Sequence, residues 1–202
     1  MITIFPGDKT ERENYKLLIG SIIPRPIAFV TTQNEESVVN AAPFSFFNIV
    51  SSNPPMISVS VQRKNGVMKD TARNAKTSKQ FVVHIVDEDN VAMVNETAAN
   101  LPPNESEIDL TDFTLVNSTN ISTPAVAESK IRFECELVQV VELGEGNNVG
   151  CDLLIGRIVA YHFADEVYED GKINPEKLAA ISRLAGNDYA TIGEIFTMAR
   201  PL

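Results

Sequence analysis

The segment from Met68 to Lys76, MKDTARNAK, combines residue types that bind a small anion. Asp70 or Thr71 can cap a short helix here, and unpaired backbone N–H groups then gather at its first turn. Lys69 precedes this cap, and two further basic residues follow along the helix. Free amides, the positive end of a helix dipole and basic side chains together form a good site for one monophosphate.

The charge around this segment differs in sign from that of the rest of the chain. Six basic residues and one acid, Asp70, lie between Arg63 and Lys79, so the local charge is +5, while the other residues carry −15 and the whole chain −10. A solvated helix face and a site for one small anion both explain such a cluster. The net negative charge argues against a nucleic-acid partner, because a phosphate backbone demands a basic surface.

A second stretch has the composition of a seat for a flat ring. Residues 37 to 62 contain no charged side chain, and inside this run the sequence NAAPFSFF begins at Asn40. Small residues let backbone amides approach a ligand edge, and aromatic side chains can cover a planar ring. A buried strand-and-loop segment would have the same composition. The candidate ring-contact residues are Asn40, Ala41, Ala42, Pro43, Phe44, Ser45 and Phe46.

A third stretch, from Met56 to Gln62, alternates in polarity and predicts a strand. The apolar face carries Ile57, Val59 and Val61, and the polar face carries Ser58, Ser60 and Gln62. A small, hydroxyl-bearing face lets a ligand lie close, although a solvent-exposed strand face would look the same. A ring seat, a polar cleft and a phosphate site of this capacity together suggest flavin mononucleotide, FMN.

Strand patterns outnumber helical ones along the rest of the chain. Short strands are predicted at Pro26–Thr32, Met56–Gln62 and Gln80–Val86, and two long strands at Ile131–Leu143 and Gly150–Phe163, joined by a hairpin turn at GEGNN. Helices are predicted near Glu11–Ile19, Asp70–Thr77, Val91–Ala98 and Pro175–Arg183. Because strands and helices do not alternate regularly, we predict a single domain over residues 1–202, mainly β with accessory helices, built on an antiparallel barrel.

Other chemistries lack the residues that they need. GEGNNVG has a GxGxxxG spacing and precedes a strand, so no helix start awaits a pyrophosphate. His84 and His162 show no metal-ligand spacing with Cys135 or Cys151, and no GxSxG motif is present. We therefore expect no metal site, and we expect His84, in the middle of a strand, to be structural.

Two further expectations concern location and the loops. The chain shows no secretory signal and no apolar run of the roughly 18–20 residues that span a bilayer, which predicts a cytoplasmic protein without membrane contact. The acidic, proline-containing stretch Asn100–Phe113 predicts a surface loop, which is either a lid or an inert excursion.

In chain order, the segments PRPIAFVTT, NAAPFSFFN, NPPMISVSV, KDTARN, ESKIRFECELVQVVE and IGRIVAYH resemble the flavin reductase-like family, which includes flavoredoxin. The resemblance extends from about Lys16 to Pro201, and the pair NAAPFS and KDTxxN at this separation is its specific signal. It implies an antiparallel FMN-binding split β-barrel, usually a homodimer with the flavin near the subunit interface.

The resemblance also implies site residues. Asn40 to Phe46 would line the isoalloxazine ring. Ser60, Lys69, Asp70 and Thr71 would hold the ribityl phosphate, with Asn74 supporting that turn. Arg25, in PRP, matches a family motif near the cofactor, and Arg183 and Tyr189, in ISRLAGNDYATI, would approach the flavin of the same or of the partner subunit. The resemblance names no catalytic acid or base.

Three functions remain open from the sequence. The first is an FMN-dependent oxidoreductase that passes a hydride from NAD(P)H to flavin. The second is a flavoredoxin-type electron-transfer protein serving a redox partner, for which the acidic remainder of the chain would suit docking to a basic protein. The third is a flavin-free binding or scaffold barrel, against which the intact KDT and NAAPFS elements count. The chain has no nicotinamide fingerprint, but family members bind the nucleotide without one.

Overall fold

The computed structural model of the chain describes residues 1–146 and 148–201. The longer strands are β2 (Ala28–Gln33), β3 (Val39–Phe44), β4 (Phe47–Ser52), β5 (Pro55–Gln62), β6 (Gln80–Ile85), β9 (Ile131–Glu145) and β10 (Asn148–Phe163). Two-residue strands are β1 (Arg25–Pro26), β7 (Leu115–Val116), β8 (Ala125–Val126), β11 (Tyr168–Glu169), β12 (Lys172–Ile173), β13 (Ser182–Arg183) and β14 (Tyr189–Ala190). The α-helices are α1 (Glu11–Ser21), α2 (Asp70–Ser78), α3 (Val91–Glu96) and α4 (Pro175–Leu178). The mainly β prediction with accessory helices is confirmed.

The seven longer strands form one antiparallel sheet in the order β3-β2-β6-β9-β10-β5-β4. Its two edge strands, β3 and β4, follow one another in the chain and are joined by Ser45 and Phe46 alone. Three Cα steps reach at most about 11 Å, so the sheet must curl until its edges are close. Across the described ranges no strand pairing joins β3 to β4, so the curled sheet is antiparallel as predicted but not a closed barrel.

The long hairpin of β9 and β10 forms the back of the sheet. Its strands pair from Asn148 with Glu145 to Phe163 with Ile131, two residues beyond the predicted limits at the turn end. Three register shifts interrupt this ladder, and such bulges bend a strand. The predicted GEGNN turn includes Asn147, which lies outside the described residues.

The inner face of the curled sheet carries the main core. Val59 and Val61 of β5, Phe81 of β6 and Leu154 of β10 are fully buried there. Gly156 of β10 is required at its position, because a Cβ atom would overlap the Phe81 ring. The predicted alternation of β5 is confirmed, since its apolar residues are buried while Ser58 and Ser60 are half-buried and Gln62 is exposed.

A second core lies outside β2, under the loops. Phe29 of β2 stacks on Phe113 with 5.2 Å between ring centroids, and Val86, Ile108 and Val126 pack around them. With a core on each side, β2 is buried at every position from Ala28 to Thr32. Strands covered on both faces read as continuous apolar runs, which explains why this strand lacks an alternating pattern.

Helix limits follow local capping chemistry. α1 begins after Thr10, whose hydroxyl accepts from the Glu13 N–H at 3.3 Å while Glu13 accepts from the Thr10 N–H at 2.9 Å, a complete capping box. The predicted helix Pro175–Arg183 is wrong beyond Leu178, because Ala179 takes a left-handed conformation and Ser182–Arg183 pair with β1 as a strand. None of the described helices combines the length and the apolar character needed to cross a membrane.

His84 lies buried in the middle of β6. Its Nδ1–H donates to the Phe29 carbonyl at 3.0 Å, and its Nε2 accepts from the Val126 N–H at 2.9 Å. This pair of bonds requires a neutral ring with its proton on Nδ1. Burial lowers the pKa of His84 from its usual 6.5 to about 4. The ring therefore joins β6 to β2 and β8, as expected of a structural histidine.

We expect this neutral ring to make stability depend on pH. Because the pKa of folded His84 is below that of the unfolded chain, its contribution is complete above about pH 6.5 and is lost as the pH falls through about 4. The difference corresponds to on the order of 3 kcal/mol of unfolding free energy. Long-range proton–nitrogen NMR should show His84 neutral and protonated on Nδ1 at about pH 5.5, where an exposed histidine is mostly charged. A charged His84 ring at that pH would contradict this assignment.

Candidate functional site

The two stretches singled out from the sequence meet in one cleft of about 380 Å³. β3 supplies Asn40, Ala42, Pro43 and Phe44, and the start of α2 supplies Lys69, Asp70, Thr71 and Arg73. The third wall is the loop after α3, including Thr97, Leu101, Pro103 and Glu107. The predicted ring seat and the predicted phosphate site therefore share one cavity.

The start of α2 offers free backbone amides to this cleft. The helix begins at Asp70 and its N-cap residue is Lys69, which corrects the expectation that Asp70 or Thr71 caps it. Lys69 has the extended backbone of a cap position, whereas Asp70 is already helical and pairs with Arg73. No side chain caps the first-turn amides, and the exposed Lys69 has no ion-pair partner in the described part of the chain. This arrangement suits an anion.

A buried polar network joins the helix start to β3. The Thr71 hydroxyl donates to Asn40 Oδ1 at 2.7 Å, and Asn40 Nδ2 donates to both carboxylate oxygens of Glu107, at 3.0 and 2.9 Å. The Ala41 N–H also donates to Glu107, at 3.0 Å. The side chains of Asn40 and Thr71 are thus committed to one another and to Glu107.

Sequence reasoning missed Glu107. It lies 67 residues from Asn40 in an acidic loop expected at the surface, yet it is 5% exposed. Burial raises the pKa of Glu107, while the Ala41 N–H and the Asn40 amide favour the ionised form. No local pattern distinguishes this acid from its neighbours, because its burial depends entirely on a long-range contact.

Asn74 connects α2 to the sheet, and its support of a phosphate-binding turn stays a prediction. It is buried on the face of α2 that packs against the sheet, and its Nδ2 donates to Thr32 Oγ1 of β2 at 3.4 Å. The bond is long, so packing of Ala72 and Ala75 against the inner core contributes most of the attachment. The position of the free amides thus follows from the docking of α2 on β2.

A second cleft of about 190 Å³ continues the first along β3. It is lined by Pro43, Phe44 and Ser45, by α3, and by Arg183 and Tyr189. The Arg183 guanidinium carbon lies 4.4 Å from the Tyr189 ring centroid, and the Tyr189 hydroxyl donates to Asn95 at 3.0 Å. Because Pro43 and Phe44 line both clefts, the two form one groove, which we call the β3 groove.

Four predicted site residues lie elsewhere or are committed to the fold. Ala41 is fully buried in the outer core, and Phe44 belongs mainly to the inner core. Phe46 and Ser60 are half-buried and line neither cleft of the β3 groove. Ser60 shares its strand face with Gln62, which borders a basic cleft next to the groove. Contacts of these four residues with a cofactor stay predictions.

Arg25 is a buried connector between two segments. Its guanidinium donates to the carbonyls of Ile19 at 2.7 Å, Ile22 at 2.6 Å and Leu184 at 2.8 Å. Burial lowers its pKa, although three carbonyl acceptors compensate the charge. Since Arg25 is also the strand partner of Arg183, it holds the Arg183 end of the β3 groove. Direct contact of Arg25 with a cofactor stays a prediction.

The basic cleft adjoins the Lys69 end of the groove and measures about 950 Å³. Arg63 on its border is neutralised, because it donates to both oxygens of the buried Asp152, at 2.8 and 2.6 Å. Arg12, Lys64 and Lys69 have no ion-pair partner among residues 1–146 and 148–201. The positive potential is therefore concentrated outside the uncapped start of α2.

Comparison with known proteins identifies the family. Residues 19–178 match the family model described as a flavin reductase like domain. The chain belongs to this family. Similar solved structures extend the likeness over nearly the whole chain.

Three solved structures illustrate this likeness. Nitrilotriacetate monooxygenase component B from Bacillus cereus is 57% identical, with 98% of each chain covered and a TM-score of 0.96. The 2-nitrobenzoate 2-nitroreductase NbaA of Pseudomonas fluorescens is 29% identical, covering 99% of this chain and 96% of its own, with a TM-score of 0.89. Flavoredoxin of Desulfovibrio vulgaris (Miyazaki F), 23% identical over 88% of this chain and 92% of its own, shares the fold with a TM-score of 0.76.

The β3 groove fits the flavin cofactor that family membership supports. A flavin phosphate requires hydrogen-bond donors and positive charge, which the uncapped amides of α2 and Lys69 provide. A ring requires a partly apolar wall, which Ala42, Pro43 and the edge of Phe44 provide. When bound, the flavin supplies the redox chemistry, and the protein supplies its position and its electrostatic surroundings.

We expect Lys69→Ala to weaken FMN binding roughly 10- to 100-fold, because it removes one charge-assisted hydrogen bond to the phosphate. Riboflavin lacks the phosphate, so its affinity should hardly change. Fluorescence-quenching titrations of both flavins measure the two affinities. The matched control is Lys79→Ala, since Lys79 is exposed at the opposite end of α2. An unchanged ratio of FMN to riboflavin affinity in Lys69→Ala would refute the assignment of Lys69 to the FMN phosphate.

Proposed function

We propose that the protein is an FMN-dependent flavin reductase with a split β-barrel fold that oxidises NAD(P)H. The observation that carries this proposal is the β3 groove, which joins uncapped helix amides and Lys69 to a ring-sized wall of small and apolar residues. The likeness to a monooxygenase component at 57% identity supports a role in supplying electrons to another reaction.

Each end of the groove has a separate role in this proposal. Lys69 and the amides of Asp70 and Thr71 hold the phosphate, while Ala42, Pro43 and Ser45 face the ring. Arg183 and Tyr189 form the opposite end, where their stacked side chains limit the space beside the ring. No side chain needs to act as acid or base, because a bound flavin would itself supply the hydride-accepting chemistry and the protein its position.

A second candidate function is electron transfer between the bound flavin and a redox protein, as the resemblance to flavoredoxin implied. The observation that favours it is the charge outside residues 63–79, which sums to −15 and would attract a basic partner surface. A flavin-free scaffold is disfavoured, because an uncapped helix start beside an unpaired lysine has no evident structural purpose.

We expect anaerobic mixing of the FMN-loaded protein with NADH or NADPH to bleach the flavin absorbance within seconds. Stopped-flow absorbance measures the rate for each nucleotide, and free FMN without protein is the control. If neither nucleotide reduces the bound FMN while a low-potential reduced protein does, the electron-transfer function replaces the reductase. Failure of FMN to bind at micromolar concentration would end both proposals.

We further propose that two copies of the chain associate through the β4 side. Ile49 and Val50 of β4 are 77% and 51% exposed, and Phe196 and Met198 near the C-terminal end are 76% and 79% exposed. Association of two copies through β4 would cover apolar side chains that are exposed in this way. Phe44 is buried and Phe47 half-buried, so these two aromatic residues add little to the exposed apolar surface.

Light scattering after size exclusion should give about twice the chain mass of 22.2 kDa for the FMN-loaded protein. We expect Ile49→Asp to shift this mass toward one chain, because a charge on an apolar interface costs desolvation energy. The matched control is Asn48→Asp, which adds the same charge at the neighbouring exposed position. A mass of one chain for the wild type at every concentration would refute the dimer.

A further inference from the structure

The acidic loop after α3 is firmly attached to the sheet. Ser106 Oγ donates to the Val39 carbonyl at 2.6 Å, and the Phe113 ring stacks on Phe29. Ile108 is buried in the outer core with Phe113. Because Leu101 and Pro103 line the β3 groove, this loop is a wall of the groove and not an inert excursion.

The attachment satisfies the free edge of β3. The Val39 carbonyl and the Ala41 N–H belong to the side of β3 that has no neighbouring strand in the sheet. Ser106 takes the carbonyl and Glu107 takes the N–H. An unsatisfied strand edge invites pairing with another chain, so the loop protects this edge while it forms the groove wall.

Glu107 connects this edge to the helix start through Asn40. Both carboxylate oxygens accept from Asn40 Nδ2, which leaves Asn40 Oδ1 to accept from the Thr71 hydroxyl. The direction of each bond is fixed, since a carboxylate only accepts and the Asn40 amide must turn its NH₂ group toward it. Thr71 lies in the first turn of α2, beside the uncapped amides.

We infer that Glu107 is a positioning residue for the β3 groove. Through Asn40, Glu107 holds the loop wall and the phosphate-binding first turn of α2 at a fixed separation. This inference rests on the proposed function. Burying a carboxylate is costly, and three bonds from two N–H donor groups, with no basic side chain paired to it in the described residues, offset that cost. With the Asn40 amide in this orientation, a glutamine would set its NH₂ group against the NH₂ group of Asn40 or the backbone N–H of Ala41, so the network favours an acid at position 107.

Exchanging the carboxylate of position 107 with the amide of position 40 tests whether the direction of the hydrogen bonds between them matters. Glu107→Gln alone places two amides opposite each other, and Asn40→Asp alone places two buried carboxylates opposite each other. The double variant restores one amide and one carboxylate in reversed order, keeps an acceptor for Thr71 and keeps an oxygen for the Ala41 N–H. We expect each single variant to weaken FMN binding about tenfold or more and the double variant to recover part of that loss, because one of the two amide-to-carboxylate bonds is restored.

Hydrogen exchange of the Ala41 amide supplies a readout without flavin. It should become faster in each single variant and return toward the wild-type rate in the double variant. Ser106→Ala is the matched control, because it removes the other bond between the loop and β3 and leaves the Glu107–Asn40 pair intact. Adding Asn40→Asp to Ser106→Ala should therefore not slow the exchange of the Ala41 amide. If a single variant does not fold, recovery of folding in the double variant supports the pair.

Three results would overturn the inference. The first is that the single variants keep the FMN affinity and the Ala41 exchange rate of the wild type. The second is that the losses of FMN affinity in the single variants add in the double variant. The third is that a single variant does not fold and the double variant does not fold either. Failure of the proposed function is distinguishable. Even if no FMN binds, the Ala41 exchange rates of the wild type, the two single variants and the double variant can still be compared.

Discussion

The two-residue connection between β3 and β4 is the constraint on which the rest of the structure depends. It joins the opposite edges of a seven-stranded sheet, so the sheet has to curl, and the curl creates the inner core around Phe81 and Leu154. The same connection leaves β3 as an edge beside a gap that no ladder fills in the described chain. The two clefts of the β3 groove lie along that edge.

An unpaired edge strand needs partners for its main-chain groups, and the chain supplies them from distant sequence. The loop carrying Ser106 and Glu107 takes the outward carbonyl and N–H of β3, and α2 reaches the same strand through Thr71 and Asn40. One set of hydrogen bonds therefore protects the edge and shapes the groove. This double role explains why the acidic loop packs tightly against the uncharged segment that contains β3.

Patterns with a local physical cause were predictable from the sequence. The alternation of β5, the long hairpin, the start of α1 and the location of α2 follow from residue periodicity and capping chemistry. The buried roles of Glu107 and Arg25 were not predictable, because each depends on partners distant in the chain. The N-cap of α2 was misplaced by one or two residues, since the sequence offers good capping side chains, Asp70 and Thr71, that the helix includes in its first turn instead.

The basic cluster shows how much a charge count changes once geometry is known. Of its six basic residues, Arg63 pairs with Asp152, Arg73 with Asp70 and Lys76 with Glu142, which leaves Lys64, Lys69 and Lys79 without an ion-pair partner in the described residues. Lys64 and Lys69 line the groove, whereas Lys79 lies at the far end of α2. A flavin phosphate is an anion, and an acidic surface repels an anion except where unpaired positive charge is exposed. The ion pairs inside the cluster thus leave two unpaired positive charges, Lys64 and Lys69, beside the β3 groove and the uncapped amides of α2 in the described residues.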